Sequence, residues 1–167
     1  MPKPTQLVIN TSPLLALIAG LGDLAILGEL YETVFVTYEV EQEILTGGKL
    51  GFGITEFEKA SFLQKLDKPL AITPFLFNSL DLGEASVIQL ALNLGIATVC
   101  IDEAIGRRIA RLNSLKVTGS IGILLRAKRE GYNFSMQTVI TRMLNQGIHL
   151  SSSVIQIALK ESGEIYQ

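Results

Sequence analysis

The sequence predicts an α/β domain built on a parallel sheet covered by helices, and three observations carry that reading. Short apolar, β-branched runs alternate along the chain with longer segments of helical period. Strands separated by helices pair in parallel, because the crossover returns the chain to the same end of the sheet. The chain has 167 residues, 48 % of them apolar, which suits one packed core and excludes a disordered chain. No internal repeat or low-complexity tract interrupts the pattern.

Gln6–Ile9 is an apolar run that stops at the turn-forming Asn10-Thr11-Ser12, as a buried strand does. Ser12 reads as a helix cap with Pro13 at the first position, where the missing N–H costs nothing. Helical segments follow at Leu14–Ala19 and Leu24–Leu30, with Gly20 and Gly22 marking a break. Thr33–Val36 is the second strand, and Thr37 caps a helix over Tyr38–Leu45 that Gly47 and Gly48 end. Residues 47–53 form a glycine-rich loop without P-loop spacing, so no nucleotide is assigned to it.

A helix is expected over Thr55–Leu66 and a strand at Leu70–Thr73. Asp81, Gly83 and Glu84 open the helix Ala85–Leu94, which Gly95 closes. The strand Thr98–Ile101 leads into the helix Glu103–Leu112, with Ile105, Ile109 and Leu112 on one face. Val117 marks a short strand before the helix Ser120–Arg129, and helices at Met136–Asn145 and Ser153–Glu161 complete the chain. Residues 1–131 are thus expected to form the α/β domain, and 132–167 a helical extension packed on it.

Cys100 is the sole cysteine, so no intramolecular disulfide forms and a disulfide-stapled secreted fold is excluded. The apolar stretch Leu14–Gly22 is too short to cross a bilayer and ends at Asp23. A cleaved signal is not expected either, since residues 10–13 interrupt the only candidate run. A cytoplasmic setting is the expectation.

The net charge is −2, yet the charges are unevenly placed. Asp23, Glu29, Glu32, Glu39, Glu41 and Glu43 face only Lys3 in residues 1–48. Arg107, Arg108, Arg111, Lys116, Arg126, Lys128 and Arg129 follow one another with no intervening acid. Such asymmetry builds either an acidic pocket beside a basic surface or simply solvated helix faces. Arg107 and Arg111 lie one turn apart, so they form a candidate track for phosphates, giving salt-dependent affinity without sequence reading.

In a parallel sheet, ligands bind beyond the carboxyl ends of the strands, where the strand order reverses. That rule singles out Asn10-Thr11-Ser12 and Asp102-Glu103, each just after a strand, with Glu84 and Glu43 at or near helix ends. Carboxylates gathered in this way bind a hard cation such as Mg2+ for phosphodiester hydrolysis. Each also has a plain structural reading. Asp102 suits a cap of the next helix, and Glu103 favours its dipole. Glu84 stands three residues after Asp81, near capping-box spacing, Glu43 flanks a buried helix face, and Asn10 suits an Asx-turn. His149 reads as structural or solvent-facing and Cys100 as core filling. No nucleophile elbow accompanies His149, and no glycine fingerprint follows the first strand, which disfavours a hydrolase triad and a flavodoxin-like protein.

A succession of weak motifs adds a resemblance. Leu7-Val8-Ile9-Asn10-Thr11-Ser12-Pro13-Leu14 opens it, followed by Val36-Thr37-Tyr38-Glu39-Val40 with Glu43, and by Asp81-Leu82-Gly83-Glu84-Ala85. Ile101-Asp102-Glu103, Gly106-Arg107-Arg108 and Val117-Thr118-Gly119-Ser120-Ile121-Gly122 come next, then Gly147-Ile148-His149-Leu150-Ser151 and Glu161-Ser162-Gly163-Glu164. In this order, over nearly the whole chain, the sequence resembles a bacterial and archaeal PIN-like family whose opening reads Asp-Thr-Ser-Pro-Leu. The resemblance implies a three-layer α/β/α sandwich and an endoribonuclease dependent on Mg2+ or Mn2+ and acting on single-stranded RNA. Many relatives are toxins held by a small antitoxin, and a homodimer or larger oligomer is expected.

Carried over by position, the catalytic group would be Asn10, Glu43, Glu84 and Asp102, with Asn10, Glu84, Asp102 and Glu103 toward the metal. Thr11, Ser12, Ser120, Arg107, Arg108 and Arg111 would meet the substrate. One departure stands out: Asn10 occupies the place of the family's first Asp. Its carbonyl can touch a cation, but it brings no charge and accepts no proton. A degenerate member that binds or assembles without cutting is therefore the alternative.

Overall fold

The computed structural model describes residues 6–47 and 51–164. Five strands form one parallel sheet: β1 (Gln6–Ile9), β2 (Thr33–Val36), β3 (Gln64–Lys65), β4 (Thr98–Cys100) and β5 (Lys116–Thr118). Around it lie, among the described residues, α1 (Thr11–Leu21), α2 (Ala25–Leu30), α3 (Tyr38–Thr46), α4 (Ile54–Lys59), α5 (Pro74–Ser79), α6 (Leu82–Leu94), α7 (Ala104–Leu112), α8 (Ser120–Arg129), α9 (Met136–Asn145) and α10 (Ser152–Glu161). The arrangement is an α/β/α sandwich.

Strand order is β3-β2-β1-β4-β5. The chain builds outward from β1 to β3, then crosses back to lay β4 and β5 on the other side. β1 is therefore central, with Val8 paired to Phe35 on one flank and Val99 on the other. Leu7, Val8 and Ile9 are fully buried, as a strand covered on both faces requires. The order reverses between β1 and β4, so the segments leaving these two strands open the crevice in which such sheets bind ligands.

The C-terminal helices add to the same core. Met136, Val139, Ile140 and Met143 are buried, and α9 lies against α1 at Gly20. A Cβ at Gly20 would stand 2.6 Å from Val139 Cγ1, so only glycine lets the two helices approach this closely. That contact explains why α1 runs through Gly20 to Leu21 where the sequence predicts a break. The true stop is Gly22, left-handed at φ 88°. Glu164 ties down the chain's end by accepting the Met136 and Gln137 N–H groups and the Ser135 hydroxyl. Burial alone would raise its pKa, but these donors and Lys128 outweigh it and the net shift is downward.

Four expectations need correction. Leu70–Thr73 is not a strand: Glu39 Oε2 accepts the Leu70 N–H and Gln89 Oε1 accepts the Thr73 N–H, so side chains take donors that a ladder would use. The helix expected over Thr55–Leu66 stops at Lys59, because Gln64 and Lys65 pair with Phe35 and Val36 as β3. The apolar face of α7 is displaced: of the three expected residues Ile109 packs against the core beside the buried Gly106 and Ala110, while Ile105 and Leu112 are 65 % and 70 % exposed. Ser12 does not cap α1; Asn10 holds the N-cap position, without a side-chain cap bond. Thr37 does cap α3, accepting the Val40 N–H, and Gly47 closes that helix. Gly48, also expected to end α3, lies outside the described residues with Lys49 and Leu50.

Candidate active site at the carboxyl ends of the strands

Asn10 leaves β1 4 % exposed, and its Oδ1 has no hydrogen-bond partner. A buried oxygen left in this state costs free energy unless something outside the protein satisfies it. The first turn of α6 lies opposite. A Cβ at Gly83 would stand 3.3 Å from Asn10 Oδ1 and 2.6 Å from Glu43 Oε2. Two oxygens, from the residue after β1 and from α3, thus converge on one face of Gly83, and a side chain there would displace the Glu43 carboxylate.

Glu84 is next to this glycine and only 5 % exposed. Its backbone N–H is taken by Asp81, the N-cap of α6, but its own carboxylate does not complete a capping box. Glu84 Oε2 instead lies against Gly106 of α7, close enough that a Cβ there would collide with it, and finds no donor. Its neighbours Asp81 and Glu103 are themselves acceptors. Burial first, then the bonding and charge of Asp81 and Glu103, lift the Glu84 pKa to about 8, so at neutral pH it holds a proton.

Asp102 leaves β4 half-buried. It does not cap α7; its Oδ1 accepts the Ser120 N–H at 2.8 Å and its Oδ2 the Ser120 hydroxyl at 2.9 Å. It thereby caps α8 from across the sheet edge. Burial raises its pKa, the two Ser120 bonds draw it back, Glu103 raises it and Arg107 lowers it. Glu103 is exposed and accepts the Ser12 hydroxyl at 2.6 Å, which links the segments after β4 and β1. The Glu43 pKa rises through burial and the Asp81 charge, while Thr11 lowers it.

The structure therefore brings Asn10, Thr11, Ser12, Glu43, Glu84, Asp102, Glu103 and Ser120 to one edge of the sheet. It treats the arginines differently. Arg107 turns inward, donating to Ile101 O at 2.9 Å through the same nitrogen that lies against Gly119. Arg108 and Arg111 are exposed on α7 and, among the described residues, make no hydrogen bond or ion pair. Sequence reasoning missed the charge role of Asp81, seen only as a cap, and the cradle formed by Gly83, Gly106 and Gly119. A Cβ at Gly119 would stand 2.6 Å from Asp102 Oδ1. All three glycines sit inside the motifs quoted above, which was the available signal.

The donor chemistry suits a hard divalent cation: unpartnered Asn10 and Glu84 oxygens, with the Glu84 pKa raised by burial and by the acids beside it. Among the described residues, no three His, Cys, Asp or Glu side chains are grouped so as to hold a metal ion between them. An ion with few protein ligands that keeps its waters is the kind this edge accommodates.

Glu84 gives a pH test with a definite sign. Its folded pKa is above the unfolded value of 4.5, so the native state binds more protons, and stability falls as pH rises from there toward about 8. In chelator, the wild type is expected to lose roughly 2 kcal/mol relative to Glu84→Gln across that window, a melting-temperature gap of roughly 5 °C. A gap that does not change with pH means the carboxyls are not crowded.

A family model described as a PIN domain matches residues 6–164. No curated protein matches the chain. The PIN domain is a nuclease-type fold that generally uses divalent metals and acts on nucleic acid. Among the described residues, no helix is long and apolar enough to cross a membrane. With the match running from β1 to the Glu164 clasp, the chain belongs to the PIN-domain family.

Proposed function

We propose that this chain is a metal-dependent endoribonuclease cutting single-stranded RNA with Mg2+ or Mn2+. The observation that carries the reading is the meeting of side-chain oxygens from β1, α3, α6 and β4 at the point where strand order reverses. Asn10, Glu84, Asp102 and Glu103 are the residues that would hold the cation. When bound, that ion supplies Lewis-acid polarisation of the phosphodiester and a more acidic water. Ser120 fixes Asp102, and Ser12 fixes Glu103, so these acids are positioned before substrate arrives. Glu43 is the solvent-facing member that orients the attacking water and takes its proton. A small antitoxin partner belongs to this reading on the resemblance alone, and a homodimer or larger oligomer on the apolar C-terminal helices.

Single-stranded RNA incubated with the protein and Mg2+ or Mn2+ is expected to be cut, and chelator is expected to stop the reaction. Absence of product with both ions sinks the proposal. One observation favours a second reading, a binding or assembly module: the carbonyl of Asn10 stands where the family resemblance leads to a carboxylate. RNA binding without cleavage is its signature.

A further inference from the structure

Beside the acidic edge lies a groove of about 650 Å³, a volume typical of small-ligand sites, and Asp102 and Ser120 form part of its lining. The opposite wall comes from the C-terminal end of the chain. Val154 and Ile157 of α10 line it while remaining 36 % and 52 % exposed. They are three residues apart and so share one helix face. α10 buries only Ala158 completely. Ile155 and Leu159 pack half-buried against the core beside it, while the β-branched Val154 and Ile157 stay bare toward the groove.

The polar groups around that apolar wall are sparse and specific. Arg107 has one N–H tied to Ile101 O, which holds the guanidinium in place and leaves its remaining donors for a phosphate. His149, exposed at the turn before α10, offers an imidazole edge. Among the described residues, Asp102 is the only carboxylate in the lining. An apolar wall, a hydrogen-bonding edge and one anchored cation match the flat base, its polar rim and the backbone of one nucleotide. Because Asp102 and Ser120 belong to both the groove and the acidic edge, a nucleotide here would adjoin the bond to be cut.

The geometry points to this groove as a subsite for the nucleotide next to the scissile phosphate of a single-stranded RNA, its base against Val154 and Ile157 and its phosphate against Arg107. A base paired in a duplex must first break its pair and leave its stack to enter, so the subsite favours unpaired strands. The assignment rests on the nuclease reading for its substrate class, and C-terminal α10 becomes part of the substrate site.

The test uses the full chain in chelator, with binding of a fluorescein-labelled single-stranded RNA followed by anisotropy. Ile157→Glu changes an exposed position, so its melting temperature is expected to match wild type. Its affinity is expected to fall about tenfold, since the new carboxylate meets both base and backbone. An abasic nucleotide moved along the strand is expected to weaken wild-type binding severalfold at one position, and to make no difference to Ile157→Glu. Unchanged affinity in the variant, indifference to the abasic position, or no RNA binding at all overturns the subsite. If the base dependence is present but neither metal brings cleavage, the nuclease reading fails and the subsite stands. If RNA is cut and Ile157→Glu binds and cuts as wild type does, the subsite falls and the nuclease reading stands.

Discussion

Replacing Asp102 by asparagine is expected to reduce RNA cleavage at least about a hundredfold while leaving the fold intact. Two properties of Asp102 combine in this expectation. As an acceptor it holds the start of α8 through the Ser120 N–H and hydroxyl. As a charge it sits half-buried at the end of β4, with its pKa already raised by burial. Asparagine keeps an oxygen for the Ser120 N–H, and the Ser120 hydroxyl can rotate to accept from the new amide, so the cap survives. The negative charge does not. Activity and stability should therefore separate, with cleavage lost and the melting temperature moving by only a few degrees.

The companion Ser120→Ala sharpens that separation. It removes one bond to Asp102 without touching charge, so it is expected to lower cleavage modestly and to leave metal dependence in place. If Asp102→Asn cuts RNA as well as wild type, the carboxylate is only a helix cap and the proposed site is wrong. If both variants unfold, the cap is what the residue provides, and a titration of Mn2+ binding to the remaining folded fraction decides whether the charge matters.

What the sequence made legible follows from where local chemistry and tertiary context agree. Gln6–Ile9, Thr33–Val36 and the strand after Gly95 are apolar runs bounded by turn residues, and they became β1, β2 and β4. Thr37 and Asp81 cap their helices because the donor lies three residues away, within reach of local reasoning. Residues 55–73 defeated it. Gln64 and Lys65 carry helix-compatible side chains, yet pairing with Phe35 and Val36 fixes them as a strand. The α7 face failed for a related reason. The greasiest positions, Ile105 and Leu112, are exposed because Gly106 must take the Glu84 carboxylate and Ala110 the core.

The candidate site divides in the same way. Asn10, Asp102 and Glu103 were visible because they directly follow strands, and the sheet rule needs no side-chain coordinates. The Asp102–Ser120 bond spans 18 residues and the Ser12–Glu103 bond 91, so sequence gave no sign of either partner. Nor could it reveal that Gly83, Gly106 and Gly119 each leave room for a particular carboxylate. A glycine in a sequence announces conformational freedom. Here its use is absence of volume, which shows only once the helices are packed.

Asn10→Asp carries the opposite expectation to Asp102→Asn, a gain. Asn10 Oδ1 is buried, unpartnered and close to Glu43 across Gly83, so a carboxylate here would be a further negative charge with no donor to offset it. In chelator the variant should be less stable than wild type by roughly 1–3 kcal/mol, because an unpaired buried charge is costly. With Mn2+ the order is expected to reverse. The added charge both binds the ion and is neutralised by it, tightening the affinity about tenfold or more. Tighter binding to the native state appears as a larger melting-temperature rise per increment of Mn2+. If cleavage by the natural protein is weak, this single substitution should strengthen it, since the restored acid completes the charge that the hard cation requires. Calorimetric titrations that superimpose for the two proteins would place Asn10 outside the metal's reach, and with it the reversal point between β1 and β4 as the centre of the chemistry.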